Sequence, residues 1–347
     1  MNTRVSKRYA QTLFSAFALS VLSITASAQE GHAQDKLYVL SSIKPVHSLV
    51  AMVTGDLANS EIIVKGAASP HTYALAPAQA RDIQRADAIF WVGEDLEAFL
   101  EKPLATIGAR ATLIELMETP GLQKMKFREG GAFEKHDGHD DDDHDDDHDD
   151  DHGHDDDHDK HDDHDNDDDH GNHDDHDGFD PHIWLSPDNA KRILAYIASA
   201  LCDLDPDNKA AYIANATAAM QDIDQLTDAI TDNLSPIKNG GFLLFHDSFQ
   251  YFEHAFGLAA SGAISIHPEV APGARRIAEI RRLLRKRNVR CVFTEPQFDA
   301  KMVDVILQGT GKKAVEIDPL GAALPQGDTL YFELMQAMST SFRKCLG

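Results

Sequence analysis

Three histidines and one aspartate lie where a metal ion could be held. His71 and His182 each follow a proline, and His246 ends an apolar run that reads as a β-strand. Asp318 ends a second run of this kind. In open α/β sheets, ligands bind at the carboxyl ends of strands. Three neutral imidazoles and one oxygen suit zinc, which is tetrahedral with bonds of about 2.0 to 2.2 Å. These four side chains are the candidate metal ligands.

His47, His254 and His267 are interpreted as surface or core residues, because the first two lie in helical patterns and the third precedes a proline in a loop. His32 lies at the start of the mature chain, where disorder is expected. Glu295 ends a predicted strand and has two interpretations. It could orient a ligating imidazole as its hydrogen-bond partner, or it could cap a helix.

Residues 136–177 form a tract of very unusual composition. Its 42 positions hold 12 His and 24 Asp, and the other six are Gly, Asn and one Lys. The tract has no apolar side chain to bury and its carboxylates repel one another, so we expect residues 134–178 to be a disordered loop inserted into the fold. Mixed imidazole and carboxylate groups bind divalent transition metals, which predicts a collector of zinc ions. The alternative is a solvated acidic linker with incidental metal affinity.

Charge and the N-terminus restrict the class of protein. The net charge is -26, but the tract accounts for -23 of it, and the remaining balance of -3 gives no indication of nucleic-acid binding. Residues 1–28 have a basic start, an apolar stretch at 12–24 and an Ala-Ser-Ala cleavage site, which predicts a signal peptide that is removed before Gln29. No cysteine lies at the cleavage site for a lipid anchor. We therefore expect a monomeric protein exported to the periplasm.

The alternation of short β-branched runs with helical patterns predicts βαβ units and parallel sheets. We expect two Rossmann-like α/β lobes, at 29–186 and 236–347, joined by a helical linker at 187–235 that includes one long rigid helix. Ser186 is predicted to cap the first linker helix. No glycine-rich phosphate loop follows any strand. The predicted strands are 36–42, 61–65, 88–92, 112–116, 241–246, 258–265, 290–294 and 314–317.

Three cysteines occur in this exported chain, where disulfides can form. Sequence does not assign their pairing. We favour Cys291 with Cys345, because the first begins a predicted strand and the second ends the last helix, so that a bond would tie down the C-terminus. Cys202, in an apolar helical pattern, is interpreted as a buried free thiol.

Five motifs resemble those of one family, the periplasmic zinc-binding proteins of ABC importers of the ZnuA type. In chain order they are Ser-Pro-His-Thr-Tyr at 69–73, Pro-His-Ile-Trp-Leu-Ser-Pro at 181–187, Phe-His-Asp at 245–247, Cys-Val-Phe-Thr-Glu-Pro-Gln-Phe at 291–298 and Ile-Asp-Pro-Leu-Gly at 317–321. The resemblance covers nearly the whole mature chain and includes a His/Asp-rich loop before the second motif.

The resemblance implies two α/β lobes with zinc held in the cleft between them. His71, His182 and His246 would be the ligands, and Asp318 or a water molecule would complete the shell. Manganese-type relatives have Glu where this chain has His246, so zinc is favoured. Some zinc-type relatives carry a Glu before the first ligand, where this chain has Pro70. The family also often has a disulfide at the positions of Cys291 and Cys345.

The function expected from these observations is the capture of Zn²⁺ as a transported ligand and its delivery to an inner-membrane permease with its ATPase subunit. Two other classes compete with this interpretation. A zinc hydrolase would need a general base, for which Glu295 is the candidate. A periplasmic metal buffer or chaperone would need only the tract.

Overall fold

The computed structural model describes residues 36–128, 178–237, 240–265, 272–286, 289–299 and 301–347. The predicted signal peptide and the His/Asp tract lie outside these ranges, as does the rest of the predicted loop at 134–178 apart from Gly178. Within them, two four-stranded parallel sheets have the same topology, with strand orders β2-β1-β3-β4 and β6-β5-β7-β8. The strands of the first sheet are β1 (Leu37–Ser41), β2 (Ala58–Ile62), β3 (Ala88–Trp91) and β4 (Thr112–Glu115). Those of the second are β5 (Gly241–His246), β6 (Ala263–Ser265), β7 (Val289–Thr294) and β8 (Lys313–Glu316).

Helices connect the strands and cover the sheets. They are α1 (Lys44–Thr54), α2 (Pro77–Arg85), α3 (Glu94–Thr106), α4 (Pro187–Leu204), α5 (Lys209–Leu234), α6 (Gln250–Phe256), α7 (Ala274–Lys286), α8 (Lys301–Leu307) and α9 (Leu330–Leu346). The 26 residues of α5 span about 39 Å at 1.5 Å per residue. The backbone N–H of Asn189 donates to Oγ of Ser186 at 3.2 Å, which confirms the predicted cap of α4. No helix in the described ranges is both long and apolar enough to cross a membrane.

Two predicted strands were wrong in their extent. Strand β2 begins and ends three residues earlier than predicted, because its ladder with β1 runs from Leu37 opposite Ala58 to Ser41 opposite Ile62. Strand β6 contains only Ala263–Ser265, and the predicted residues before it are not in a ladder. Gly262 directly precedes it with a φ of 147°, outside the β region, although Ser261 and Gly262 still form backbone hydrogen bonds with β5.

Most buried apolar side chains form a single cluster that extends through both halves of the chain. It includes Val39 of β1, Leu226 of α5 and Phe242 of β5. Since side chains alternate between the two faces of a strand, Leu243 belongs instead to a second cluster, which it forms with Ile280 of α7 on the other face of the second sheet. Residues 36–347 group as one compact unit. The α/β class with two parallel sheets and a long helix is confirmed, and the lobe boundaries stay a prediction.

Candidate metal centre

Three imidazole rings meet between the two sheets. His71, His182 and His246 each offer a ring nitrogen, and these three atoms lie within 4.8 Å of one another. The ring centroids are 5.3 to 5.8 Å apart. His182 and His246 are each only 4 % exposed. The structure therefore brings together the three histidines that the sequence predicted, at distances that one ion could bridge.

A short 3₁₀ turn, Pro70–Thr72, carries His71 at the end of the loop that follows β2. The fixed φ of proline suits the start of such a turn. The neighbouring Tyr73 packs against Phe99 of α3 with ring centroids 5.1 Å apart. Its hydroxyl accepts a hydrogen bond of 2.8 Å from Nε2 of Gln79. The first histidine is thus held by the packing of its turn against α2 and α3.

The ring of His182 is oriented by Asp180, a residue that sequence analysis did not identify. Oδ1 of Asp180 lies 2.7 Å from Nδ1 of His182 and also accepts the backbone N–H of His182 at 3.0 Å. A carboxylate only accepts hydrogen bonds, so Nδ1 carries the proton and Nε2 keeps its lone pair. Asp180 is 1 % exposed, and its other oxygen accepts from Nε2 of Gln250 at 3.2 Å.

The ring of His246 has the same arrangement with Glu295. Nδ1 of His246 donates to Oε1 of Glu295 at 2.9 Å. Nε2 of His246 is buried and has no hydrogen-bond partner among the described residues. A buried lone pair without a partner is costly unless a ligand binds it. Of the two interpretations of Glu295, the geometry matches the one in which it orients the ring.

The electrostatic surroundings of the rings differ. Burial, together with the nearby rings of His182 and His246, lowers the pKa of His71 well below its usual 6.5. Burial also disfavours the charged form of His246, but the charge and the hydrogen bond of Glu295 outweigh it and raise the pKa of His246. A metal ligand must be a neutral imidazole. The lowered pKa favours the neutral form of His71 that a ligand requires, whereas the raised pKa of His246 makes metal binding there more sensitive to a fall in pH.

A small cleft surrounds the rings. Its walls combine Trp184 from the first half of the chain with Phe298, Pro319 and Leu320 from the second. The ring of Phe298 lies 5.2 Å from that of His246 in an edge-to-face arrangement. Apolar walls exclude water, which strengthens the interaction of the nitrogen ligands with a cation.

Asp318, the fourth predicted ligand, is engaged elsewhere. It is not one of the side chains whose ligand atoms meet within 4.8 Å. Its Oδ1 accepts from Nε2 of Gln297 at 2.8 Å and from the backbone N–H of Leu320 at 3.0 Å, and its Oδ2 accepts from the N–H of Ala322 at 2.5 Å. These three contacts occupy both oxygens. They support the alternative in which water completes the shell, and the role of Asp318 as a ligand stays an untested prediction.

The residues beside the tract lie close to the centre. Lys126 pairs with Phe179 in an antiparallel bridge, and the N–H of Asp180 donates to the carbonyl of Met125 at 2.8 Å. The side chain of Arg128 donates to the carboxylates of Asp247, which follows His246, and of Glu253. The described segments on either side of the tract, up to Arg128 and from Gly178, therefore lie beside His182 and His246.

The remaining sequence predictions concern the cysteines and the other histidines. The Cys291–Cys345 disulfide is present, and Cys202 is a buried free thiol, as predicted. His47 is buried on α1, and His254 is exposed on α6, so neither joins the centre. His267 and His32 lie outside the described residues.

Comparisons with known proteins agree with this architecture. The family model of ZnuA, zinc-uptake complex component A, periplasmic, matches residues 39–345. The high-affinity zinc uptake system protein ZnuA of Brucella abortus (strain 2308) is 46 % identical over 308 residues, which cover 89 % of this chain and 91 % of the relative. The protein of the same name from Yersinia pestis is 32 % identical, with 89 % and 91 % covered.

Solved structures show the same fold at lower identity. A crystal structure of ZnuA superposes with a TM-score of 0.70 at 24 % identity, over 90 % of this chain and all of the other. The laminin-binding protein Lmb of Streptococcus agalactiae, described as having adhesin and metal-transporting activity, superposes with a TM-score of 0.67 at 24 % identity, over 90 % and 100 % of the two chains. These matches define the class as an α/β fold of two parallel sheets shared with bacterial binding proteins. The chain belongs to the ZnuA family.

Proposed function

We propose that this protein captures Zn²⁺ in the periplasm and delivers it to an ABC-type permease for zinc uptake. The observation that carries the proposal is the meeting of three imidazoles, two of which are buried and held by carboxylates through Nδ1. His71, His182 and His246 would be the protein ligands of the transported ion. A water molecule at the fourth position would leave one exchangeable ligand, so that the ion can both bind tightly and leave.

The chemistry of the ligands favours zinc over manganese. Imidazole nitrogen suits zinc, whereas manganese sites are richer in carboxylate and water oxygens. The two nearest carboxylates, of Asp180 and Glu295, are turned to the Nδ1 atoms of the rings. An all-nitrogen set of protein ligands therefore supports zinc as the transported ion, and a manganese-type binding protein is the weaker alternative.

Glu295 also bears on the hydrolase alternative. A catalytic zinc site needs a general base within reach of the metal-bound water. Glu295 is the candidate that the sequence offered, and its Oε1 accepts the Nδ1 proton of His246 while the residue is 3 % exposed. This arrangement supports an orienting role for Glu295 rather than a catalytic one.

The partners follow from the family. Curated relatives carry the name high-affinity zinc uptake system protein. By this relationship we infer that the protein is exported through its N-terminal signal, acts as a monomer, and passes zinc to an inner-membrane permease with its ATPase. The tract at 136–177 would bind further zinc ions. Since the described segments on either side of the tract lie close to His182, those ions would be held at high local concentration beside the cleft.

Calorimetric zinc titration of three proteins tests this function. They are the mature chain, the chain without residues 136–177, and that deletion combined with His182→Ala; His254→Ala in the deletion serves as a matched control because His254 is exposed. We expect the deletion to keep one tight site, His182→Ala to remove most of its affinity, and His254→Ala to change nothing. Loss of all tight binding in the deletion alone would support the metal buffer instead.

A further inference from the structure

The loop that follows β8, residues 317–329, forms one wall of the metal cleft, and we call it the wall loop. Pro319 and Leu320 in this loop face the three histidines. The wall loop continues the second sheet and leads into α9, so it belongs by sequence to the second half of the chain. Several of its hydrogen bonds, however, are made to residues of the first half.

Lys44, the first residue of α1, makes three of these hydrogen bonds. Its Nζ donates to the carbonyl oxygens of Gly321, Ala322 and Leu324 at 2.9, 2.9 and 2.7 Å. An ammonium group has three N–H donors, so one side chain directs its whole donor capacity to one loop. Hydrogen bonds from a charged donor are stronger than neutral ones. The ammonium group of Lys44, in the first half of the chain, thus binds main-chain oxygens of the wall loop, which belongs to the second half.

The wall loop is shaped to receive this cation. Gly321 has a φ of +67°, a conformation that favours glycine, and a Cβ added there would lie 3.2 Å from Cδ1 of Leu324. On the inner side of the turn, Asp318 accepts the N–H groups of Leu320 and Ala322. With the N–H groups bound to Asp318, the carbonyl oxygens of the turn are directed to Lys44.

Two further contacts attach the wall loop to the first half of the chain. Nε1 of Trp184 donates to the carbonyl of Pro319 at 3.0 Å. Oγ of Ser48, one turn after Lys44 on α1, donates to the carbonyl of Asp328 at 3.1 Å and accepts the N–H of Tyr331 at 3.0 Å. The loop is therefore fastened at its start, middle and end, and Lys44 supplies the only charged side chain among these attachments.

We propose that Lys44 is a positioning residue that holds the wall loop over the three histidines and thereby slows the release of zinc from the cleft. This inference rests on the proposed function. Pro319 and Leu320 cover the cleft, and lifting them away from the rings breaks the three hydrogen bonds to Nζ of Lys44. The free energy of that step adds to the barrier for departure of the ion. When the wall loop is open, an entering ion binds the same three histidines, so the contacts of Lys44 change the rate of entry much less.

The test is a stopped-flow measurement of zinc release from the full mature chain. Protein loaded with one equivalent of zinc is mixed with an excess of a chromogenic chelator, and the trace of His182→Ala is subtracted as the release of zinc bound outside the cleft. We expect Lys44→Met to release zinc roughly tenfold faster, by the loss of charged hydrogen bonds, with an association rate within about twofold of wild type. Lys44→Arg, which keeps a cation and its donors, should restore part of the slow release.

The matched control is Lys65→Met. Lys65 is 61 % exposed and contacts only Glu61 at 3.4 Å among the ion pairs of the described residues, so its loss should leave both rates unchanged. If Lys44→Met does not fold, Lys44→Gln replaces it, and faster release is again expected because a neutral amide has only two donors.

An unchanged release rate in the folded Lys44 variant would overturn the proposal. So would equal changes in the association and release rates together with a lower unfolding temperature of the metal-free protein, because that pattern indicates a general loss of stability. If wild type itself releases zinc as fast as His182→Ala, the proposed function fails, and the role of Lys44 fails with it. Slow release in wild type and Lys65→Met combined with fast release in Lys44→Met supports both.

Discussion

The carboxylate of Glu295 lies 2.9 Å from Nδ1 of His246, although 49 residues separate the two in the chain. Glu295 directly follows β7 and His246 ends β5, and these strands are neighbours in the second sheet. Parallel pairing therefore brings a candidate ligand and the group that orients its ring to the same edge of the sheet. The equivalent pair in the first half, Asp180 and His182, is formed within a single turn of chain.

Removal of the Glu295 charge should weaken zinc binding. Partners that orient a ligating histidine contribute roughly 10- to 100-fold to metal affinity. We expect Glu295→Gln to bind zinc about tenfold more weakly, because the amide can still accept from Nδ1 but no longer polarises the ring. Competition with a chelator of known affinity measures the change. Glu316→Gln, at an exposed position, is the control, and equal affinities of the two variants would contradict an orienting role.

Glu97 should make the stability of the metal-free protein depend on pH. This side chain is fully buried, and its Oε2 accepts the N–H groups of Val92 and Gly93 at the end of β3. Burial raises the pKa of Glu97 from 4.5 to about 7. Since the pKa is higher in the folded state than in the unfolded state, its stabilising contribution is complete below about pH 4.5 and is lost as the pH rises through about 7.

The loss at this group amounts to about 3 kcal/mol by pH 8. We expect Glu97→Gln, which stays neutral, to lack this decline, so that its unfolding free energy relative to wild type increases between pH 5 and pH 8. Urea unfolding in the presence of a chelator measures the unfolding free energies of Glu97→Gln and wild type at each pH. Glu101→Gln, exposed on the same helix, should follow wild type. Parallel pH profiles of Glu97→Gln and wild type would show that Glu97 is charged in the folded protein across this range.

Arg128, the last described residue before the tract, should stabilise the protein through its ion pairs with the second half of the chain. Its guanidinium contacts Asp247 and Glu253, whose side chains are only 11 % and 4 % exposed. Loss of one partner from a buried ion pair costs about 3 kcal/mol or more, because it leaves charge buried without compensation. We expect Arg128→Ala to lower the unfolding free energy by about this amount, and Arg110→Ala, at an exposed position, to change it little.

The effect of Arg128→Ala should itself depend on pH. Even with Arg128 present, burial raises the pKa of Asp247 to about 6. Without the guanidinium the folded protein binds a proton at this carboxylate more readily. The destabilisation should therefore be smaller at pH 5, where protonation removes the uncompensated charge, than at pH 8. An equal loss at both values would attribute the effect to packing of the arginine side chain and not to charge.

Sequence predicted which histidines meet at the centre better than the contacts that hold them. His71, His182 and His246 were identifiable as candidates because ligands in parallel α/β folds lie where strands end, and a histidine at such a place is recognisable locally. Asp180 carried a local signal as well, since it lies two residues before His182, within reach of both the ring and the backbone N–H. That spacing was not used in the prediction.

Contacts between distant segments left no signal of this kind. Lys44 reaches a carbonyl 277 residues further along the chain, and main-chain oxygens cannot be recognised from residue types. The hydrogen bonds that Asp318 accepts from the turn that follows it were likewise not predicted from residue types, and its role as a ligand stays an untested prediction. The extent of β2 was wrong for a related reason. Apolar residues at 62–64 indicate burial, whereas the ends of the strand depend on its pairing with β1.

The disulfide should stabilise the second half of the chain without taking part in zinc binding. Cys291 in β7 and Cys345 in α9 are both buried, and 54 residues separate them. Closing a loop of this length stabilises a protein by about 4 kcal/mol in the chain-entropy description. We expect the double variant Cys291→Ser, Cys345→Ser to lose roughly that amount of unfolding free energy. Its cleft should bind zinc normally at temperatures where it is folded, because neither cysteine lines the cleft.

Urea unfolding and zinc titration of the variant measure the two properties separately. Cys202→Ala provides the control for loss of a buried sulfur that is not in a disulfide. Loss of zinc affinity in the folded double variant would show instead that the attachment of α9 to β7 is transmitted to His246 through the second sheet.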